Sequence, residues 1–480
     1  MMNRIQSIIA AADRLTTRYR MVLGALLSVL LAALLALYNV SSGPLHNLND
    51  IGGWSNRALF IAMAAAVHAL ALLGCTLLHR KSFARLALRQ IILTAGFYIL
   101  LLGINHKAYV YVNVMQPVIR AMDAGGLAAG IAMETNMSAP MLALLYLITR
   151  GPVYDMYLLK LFAIGCYMAL SLLMVRAADQ KEFGIRAEVL LTLCMILPQG
   201  FMNAAFSAIP EIAAVTLLAV SLSLLTGGDK SQLASCLCFG AACALSGAAL
   251  YALPLYAYMA YRGKLKKAYL PAAAGVLLAG CVPAVLCGMG VGDAAGSLVN
   301  AVFGLPHYAS GAPGLINLVP FAQMEQMPQY APVLRHFDVL DAVTNAQPYY
   351  TQAHFEHMAS GVLLAGLAVY MGVCALGFMA KDKTPLHRAM IFVLGALIAC
   401  PNTSSAVWLA MDLLCLYAIL SAPKLRLPAL LVLFATMTSS VYPLAEEVML
   451  PMVYAFVLCL IALCMLLDVI PMRKEDLTNE

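Results

Sequence analysis

Apolar residues run along this chain in blocks near the length a helix needs to cross the hydrocarbon core of a bilayer, broken by short polar turns. The blocks lie near 21–38, 57–78, 89–104, 157–176, 187–203, 211–226, 232–247, 249–262, 268–287, 359–380, 388–401, 405–421, 427–441 and 449–469. They predict an all-α polytopic membrane bundle of about fourteen transmembrane helices, because lipid offers the backbone no partners and only a helix or closed barrel satisfies its own amides. Composition points the same way: 63% of residues are hydrophobic and 11% charged, against roughly 25% charged in a soluble domain.

Two stretches interrupt the pattern. Asn105 to Val153 is too polar, and too broken by Pro117, Gly125, Gly126, Pro140 and Pro152, to cross a bilayer. It nevertheless holds aliphatic positions at helical spacing: Val114, Val118 and Met122, then Met141, Leu144, Leu145 and Ile148. That spacing predicts short helices lying in the membrane interface. The second stretch, 288–358, carries GLPHYASGAPGLINLVP and then a run rich in Gln, Pro, Tyr and His.

Charge sets the orientation. Arg4, Arg14, Arg18 and Arg20 precede the first block, and Arg80, Lys81, Arg85 and Arg89 surround the next turn on that side. Arg176, Lys181, Arg186, Lys230, Arg262, Lys264, Lys266, Lys267, Lys381, Lys383, Arg388, Lys424, Arg426, Arg473 and Lys474 complete the series. The opposite side holds only Arg57, Lys107, Arg120, Arg150 and Arg335, while Lys160 falls inside a block. By the positive-inside rule both termini are cytoplasmic and the stretches 105–153 and 288–358 external. The net charge of +6 is thus a matter of sidedness, and implies no nucleic-acid partner. Met1–Arg20 reads as a basic amphipathic lead-in without a cleavable signal, and Met21–Tyr38 as a retained anchor.

Local chemistry narrows the function only a little. The 13 cysteines form no CxxC pair and sit mostly in apolar blocks, as small core residues do. Among ionisable groups inside the blocks, Asp412 stands out, with His68 and Lys160 beside it; such groups are expensive in lipid and face a bundle interior. Glu211 follows Pro210 at the outer start of a block, where it also suits a helix N-terminus. Glu446 and Glu447 fall in an outer turn, and Asp50 lies in HNLNDIGGWSN, a turn sequence. His354, Glu356 and His357 share a short stretch without a third ligand at matching spacing, so metal dependence stays open. No phosphate loop, dinucleotide fingerprint or nucleophile elbow is present, and no cofactor is implied.

Several stretches taken together resemble the bacterial relatives of the GPI mannosyltransferases, integral-membrane glycosyltransferases of the GT-C class. In that family an early span runs into an external loop with a motif resembling SGDY, a proline, a Gly-Gly and a Pro-x-Tyr-rich stretch. Here IILTAGFYILLLGINHKAY leads to Gln116-Pro117, Asp123-Ala124-Gly125-Gly126, Ala139-Pro140 and GPVYDMYLLKLF. Pro198, Asn203 and Glu211 match a family block of Pro, Asn and an acidic residue, with Glu for the usual Asp. Leu245 to Pro254 followed by RGKLKK matches a span ending in Pro and a basic turn, and Ser310 to Leu315 echoes SAPNLY. Pro401 to Asp412 keeps the spacing of the P-x-MHERY block.

Departures accompany the matches. The acidic residue expected at the loop start is replaced by His106-Lys107-Ala108-Tyr109. The family's Lys and Gln before the conserved proline become Ser246 and Ala248, and HERY becomes Ser404-Ser405-Ala406-Val407.

The resemblance covers about residues 88–469 and implies a GT-C-like transmembrane domain there, preceded by an additional two-span hairpin at 1–87 and followed by a cytoplasmic tail at 470–480. It implies transfer of a sugar from a polyprenyl-phosphate donor to a glycan, lipid or protein acceptor at the external face of the bacterial cytoplasmic membrane. Such transfer needs a carboxylate to deprotonate the acceptor hydroxyl and a donor group for the leaving phosphate. The catalytic candidates are Glu211 by register and Asp123 by loop position, then Asp50 and Glu134. The substrate contacts are His106, Lys107, Tyr109, Arg120, Asn203 and Asp412, with His106, Lys107 or Arg120 against the phosphate. An inactive protein of the same fold that binds a lipid-linked glycan or a membrane partner is the first alternative. A lipid or polysaccharide transporter is the second, opposed by the lack of internal repeats.

The charge partition is directly testable. Cysteine labels at Ser310 and Gly125 are expected to react from outside intact cells, and one at Lys266 only after permeabilisation; external labelling at Lys266 overturns the orientation.

Overall fold

A computed structural model describes residues 87, 91, 115–133, 137–153, 155–180, 210–303, 314, 352–380, 383–399, 405–441 and 450–469. The blocks expected at 21–38, 57–78, 89–104 (Ile91 apart) and 187–203 lie outside the described residues, as does the proposed hairpin at 1–87 except Ala87.

Every regular element among the described residues is helical. In chain order they are α1 (Gln116–Ile131), α2 (Ala139–Thr149), α3 (Asp155–Gln180), α4 (Ile212–Leu224), α5 (Asp229–Leu245), α6 (Leu253–Tyr261), α7 (Leu270–Ala279), α8 (Val282–Leu286), α9 (Val291–Phe303), α10 (Gln352–Met379), α11 (Pro385–Ala399), α12 (Ser405–Ser421), α13 (Arg426–Val441) and α14 (Leu450–Leu466). Among the described residues, two stretches are long and apolar enough to cross a membrane: Asp155–Ala177, with mean hydropathy 2.1, and Lys267–Leu286, with 1.9. Shorter apolar helices include α2, α4, α11 and much of α10, α12 and α14.

The main core joins α3, α4, α5, α6 and α10 to α14 through side chains such as Tyr167, Leu218, Phe239, Tyr256, Phe392, Trp408 and Cys459. α4 and α5 form one antiparallel pair, closed by the turn at Leu225–Gly228, and α13 packs on α14. Gly240 of α5 lies so close to α7 that an added Cβ would run into the backbone of Ala273, which accounts for glycine at that crossing. Between α4, α5 and α6 the hydroxyls of Ser221, Ser235 and Tyr256 hydrogen-bond one another, and Tyr256 stacks on Phe239 with ring centroids 4.2 Å apart.

The described part of the stretch 105–153 holds α1 and α2, which pack against this bundle. Met115, Val118, Ile119 and Met122 of α1 pack with Leu142 and Leu145 of α2 and with Met156 and Leu159 at the start of α3. The helical spacing read from the sequence therefore marks the packed face. Gly125-Gly126 does not end α1; the chain kinks at Gly126, with φ +75° and ψ −171°, and helix resumes. Glycine tolerates that backbone geometry where a side chain is strained. Ser138 fixes the pair to the bundle. It caps α2 by accepting from the Met141 amide, and its hydroxyl donates to the Ala244 carbonyl at 2.7 Å, in the last turn of α5.

At the end where α10 stops and α11 starts, polar groups are tied to backbone. Arg388 is 1% exposed, donates to the carbonyls of Gly377 and Ala380, and lies 3.8 Å over the Tyr258 ring. The His387 ring bonds the Leu466 carbonyl at 2.8 Å, and Lys383 pairs with Asp468. The sequence reading counted Arg388 among the basic residues that set sidedness; the structure uses its guanidinium to close the C-terminus of α10, whose last carbonyls have no partner within the helix.

Arg388→Ala is expected to lower stability by about 2–4 kcal/mol by stranding those carbonyls. Arg388→Lys is expected to recover only part of it, since an ammonium lacks the planar fork. Thermal unfolding of the detergent-purified variants reads the difference.

Candidate functional site

Of the two carboxylate candidates on the helices, Asp412 lies in the bundle interior, and Glu211 is half-buried with one carboxyl oxygen enclosed. Pro210 and Glu211 form the turn that opens α4, where the Ala213 amide bonds the Pro210 carbonyl. A glutamate there could have served as an N-cap, yet its side chain makes no cap hydrogen bond. Oε2 of Glu211 is buried and has no hydrogen-bond partner. A buried carboxyl oxygen left unpaired is costly, by about 1–3 kcal/mol or more, so this group is not there to stabilise the helix start.

Asp412 is fully buried on α12. Its Oδ1 accepts from Thr436 of α13 at 2.7 Å, while Oδ2 has no partner. Trp408, one turn earlier on the same face, is also fully buried and its indole N–H is unpaired. Ser171 on α3 carries a fourth such group, a buried hydroxyl without a partner.

These groups share three helices in mutual contact. α3 packs on α4, α4 on α12, and α12 on α3. Thr216 of α4 bonds the Cys166 carbonyl of α3 at 3.3 Å, which fixes the first pair. Lys160, 2% exposed on α3, adds a buried cation to the same trio. The arrangement offers two buried carboxyl oxygens that can accept a proton or a hydroxyl, within an apolar surround that strengthens each interaction.

The remaining candidates lie elsewhere. Arg120 and Asp123 both sit on the exposed side of α1, away from the face buried by Val118, Ile119 and Met122. Asp50, His106, Lys107, Tyr109, Glu134 and Asn203 lie outside the described residues, as do His68, Glu446 and Glu447. His354, Glu356 and His357 fall in the opening turns of α10, with their side chains outside what is described. Among the described residues no three His, Cys, Asp or Glu side chains gather as metal ligands. Ala248 is 4% exposed in the 3₁₀ turn Gly247–Ala252, and Ser246 ends α5 in extended backbone.

Sequence reasoning missed Ser138, Ser171, Trp408 and Thr436. Trp408 was within reach, since it precedes Asp412 by four residues and so shares its face. Thr436 was not, because only the packing of α13 on α12 brings it to the carboxyl.

The Asp412–Thr436 contact gives a clean test. Thr436→Val is expected to destabilise by about 1–3 kcal/mol, because it strips a buried carboxyl of its donor. In an Asp412→Leu background the same substitution is expected to be close to neutral, as thermal unfolding of the four proteins in a double-mutant cycle would show. Comparison of the chain with protein-family models, with curated proteins and with solved structures returns no match.

Proposed function

We propose that this chain is a multi-pass membrane glycosyltransferase of GT-C type, transferring a sugar from a polyprenyl-phosphate donor to an acceptor hydroxyl at the external face. The observation that carries the reading is Glu211. It occupies the acidic position in the Pro198–Asn203–Glu211 register, and its carboxyl oxygen is buried without a partner. In the proposed step Glu211 takes the proton of the acceptor hydroxyl as that oxygen bonds the anomeric carbon of the sugar. The bond from that carbon to the phosphate oxygen breaks, and polyprenyl phosphate leaves. Lys107, His106 or Arg120 meets the phosphate charge, and Asn203 and Asp412 contact the sugar side. Asp123 and Asp50 are the substitute bases. An apolar bundle suits the donor, whose long tail needs hydrocarbon while its phosphate needs the polar interface.

A second reading is a protein of the same fold that binds a lipid-linked glycan without turning it over. Ala248 favours it, being packed at 4% exposure where the family carries Gln.

The experiment is sugar transfer from polyprenyl-phosphate donors in membranes. Glu211→Gln keeps size and hydrogen-bonding reach but cannot act as a base, so it is expected to fold and to lose on the order of 10²–10⁴ in rate. Asp123→Asn and Asp50→Asn run alongside. Transfer that survives all three substitutions overturns the site. A wild type that binds a lipid-linked sugar yet transfers none favours the binding protein.

A further inference from the structure

The stretch 288–358, expected as an external loop, opens with a helix. α9 carries apolar residues at 291, 294, 295, 298 and 299, the i, i+3, i+4, i+7, i+8 pattern of an amphipathic helix, with Asp293 and Ser297 on the other side. Only part of the apolar side is used internally. Ala294 is fully buried against Cys281, Ala284 and Ala139, with Leu298 packed beside it. Val291, Ala295 and Val299, one turn apart along α9, are exposed, Val291 by 72% and Val299 by 55%.

That bare stripe does not stand alone. It continues the exposed side chains of α7 and α8, where Leu278, Val282 and Leu286 are 61%, 49% and 81% exposed. These belong to Lys267–Leu286, which is long and apolar enough to cross a membrane and is only 17% buried in its most apolar window. A helix this apolar and this uncovered needs hydrocarbon around it, and the turn at Cys287–Gly290 leads the same surface directly into α9. Gly288, with φ +96°, makes that turn.

We infer that α9 is an interfacial helix, its Val291–Ala295–Val299 stripe seated among the acyl chains of the bilayer and Asp293 turned toward water. Amphipathic helices of this kind bury their apolar side about 5–10 Å into the headgroup–acyl boundary. The consequence reaches the stretch 105–153. Ser297 on α9 accepts from the Ala139 amide at 3.1 Å, at the first residue of α2, and donates to the Ala294 carbonyl at 2.7 Å. α9 therefore holds the N-terminus of α2 at a fixed depth, and with it the packed pair α1–α2. The membrane surface itself sets the height of these helices above the bundle. This inference rests on the membrane placement of the chain and not on the sugar-transfer chemistry.

The test introduces tryptophan into the full chain, reconstituted in vesicles of phosphatidylcholine with or without bromine on the acyl chains. Val299→Trp and Val291→Trp are expected to fluoresce with an added component that brominated chains quench by half or more and aqueous iodide barely touches. Asp293→Trp is expected to show the reverse. The parent protein, with Trp54 and Trp408, supplies the baseline, and elution of each variant as the parent confirms folding. Iodide quenching at 291 and 299 overturns the inference in favour of a solvated loop helix. Protection from both quenchers, with an inter-chain cross-link from the same positions, overturns it in favour of a second copy. Loss of transferase activity in Glu211→Gln leaves this readout unchanged, so the two proposals fail separately.

Discussion

Everything in this structure answers to one constraint: in an apolar bundle, backbone and side-chain polar groups must find their partners inside the protein. Helix is the local answer, and all the regular structure described is helix. The residue-level answer is to aim side chains at helix ends. Ser138 donates to the closing turn of α5, Arg388 to that of α10, and the His387 ring meets the Leu466 carbonyl where α14 stops. In each case a carbonyl without an intrahelical partner is met by a group from another helix, so the same bond that finishes one element locates another.

Against that background the unpaired groups carry information. Most buried polar atoms in a native protein are satisfied, and each exception asks for an explanation. Glu211 Oε2, Asp412 Oδ2, the Trp408 indole and the Ser171 hydroxyl fall on α3, α4 and α12, three helices in mutual contact. The same bundle pairs the Ser221–Ser235–Tyr256 hydroxyls without remainder. The contrast between that closed polar cluster and the unpaired Glu211 oxygen is what directs attention to Glu211.

The way the outer helices are held bears on function too. α1 and α2 rest on α3 through an apolar cluster, while α2 is pinned at its start by Ser138 to α5 and by Ser297 to α9. Neither attachment is made by α1 itself, and the kink at Gly126 divides that helix into two segments. Arg120 and Asp123 lie on the exposed side of the α1 segment whose other face is packed against α2 and α3.

The chain's pattern of apolar blocks determined that it would be all helix and roughly where the helices run. Helices are found at the blocks expected near 157–176, 211–226, 232–247, 388–401, 405–421, 427–441 and 449–469, because hydrophobicity and helix propensity are local properties. Of the positions it marked at helical spacing, Val118, Met122, Met141 and Leu145 are buried, since the period of a helix is written in the spacing. Asp412 was legible for the same reason, as a lone carboxylate in an apolar block. What the sequence left open depended on which helix lies beside which. That Thr436 reaches Asp412, that Arg388 of α11 closes α10, and that a Glu211 carboxyl oxygen is buried without capping its own helix all depend on how one helix packs on another. The helix at 291–303 was hidden by its length and its glycines, Gly292 and Gly296, and became distinct only once α8 and α2 buried one edge of it. Local physics chose the elements; only the tertiary contacts decided which polar groups would be paired and which would be left open.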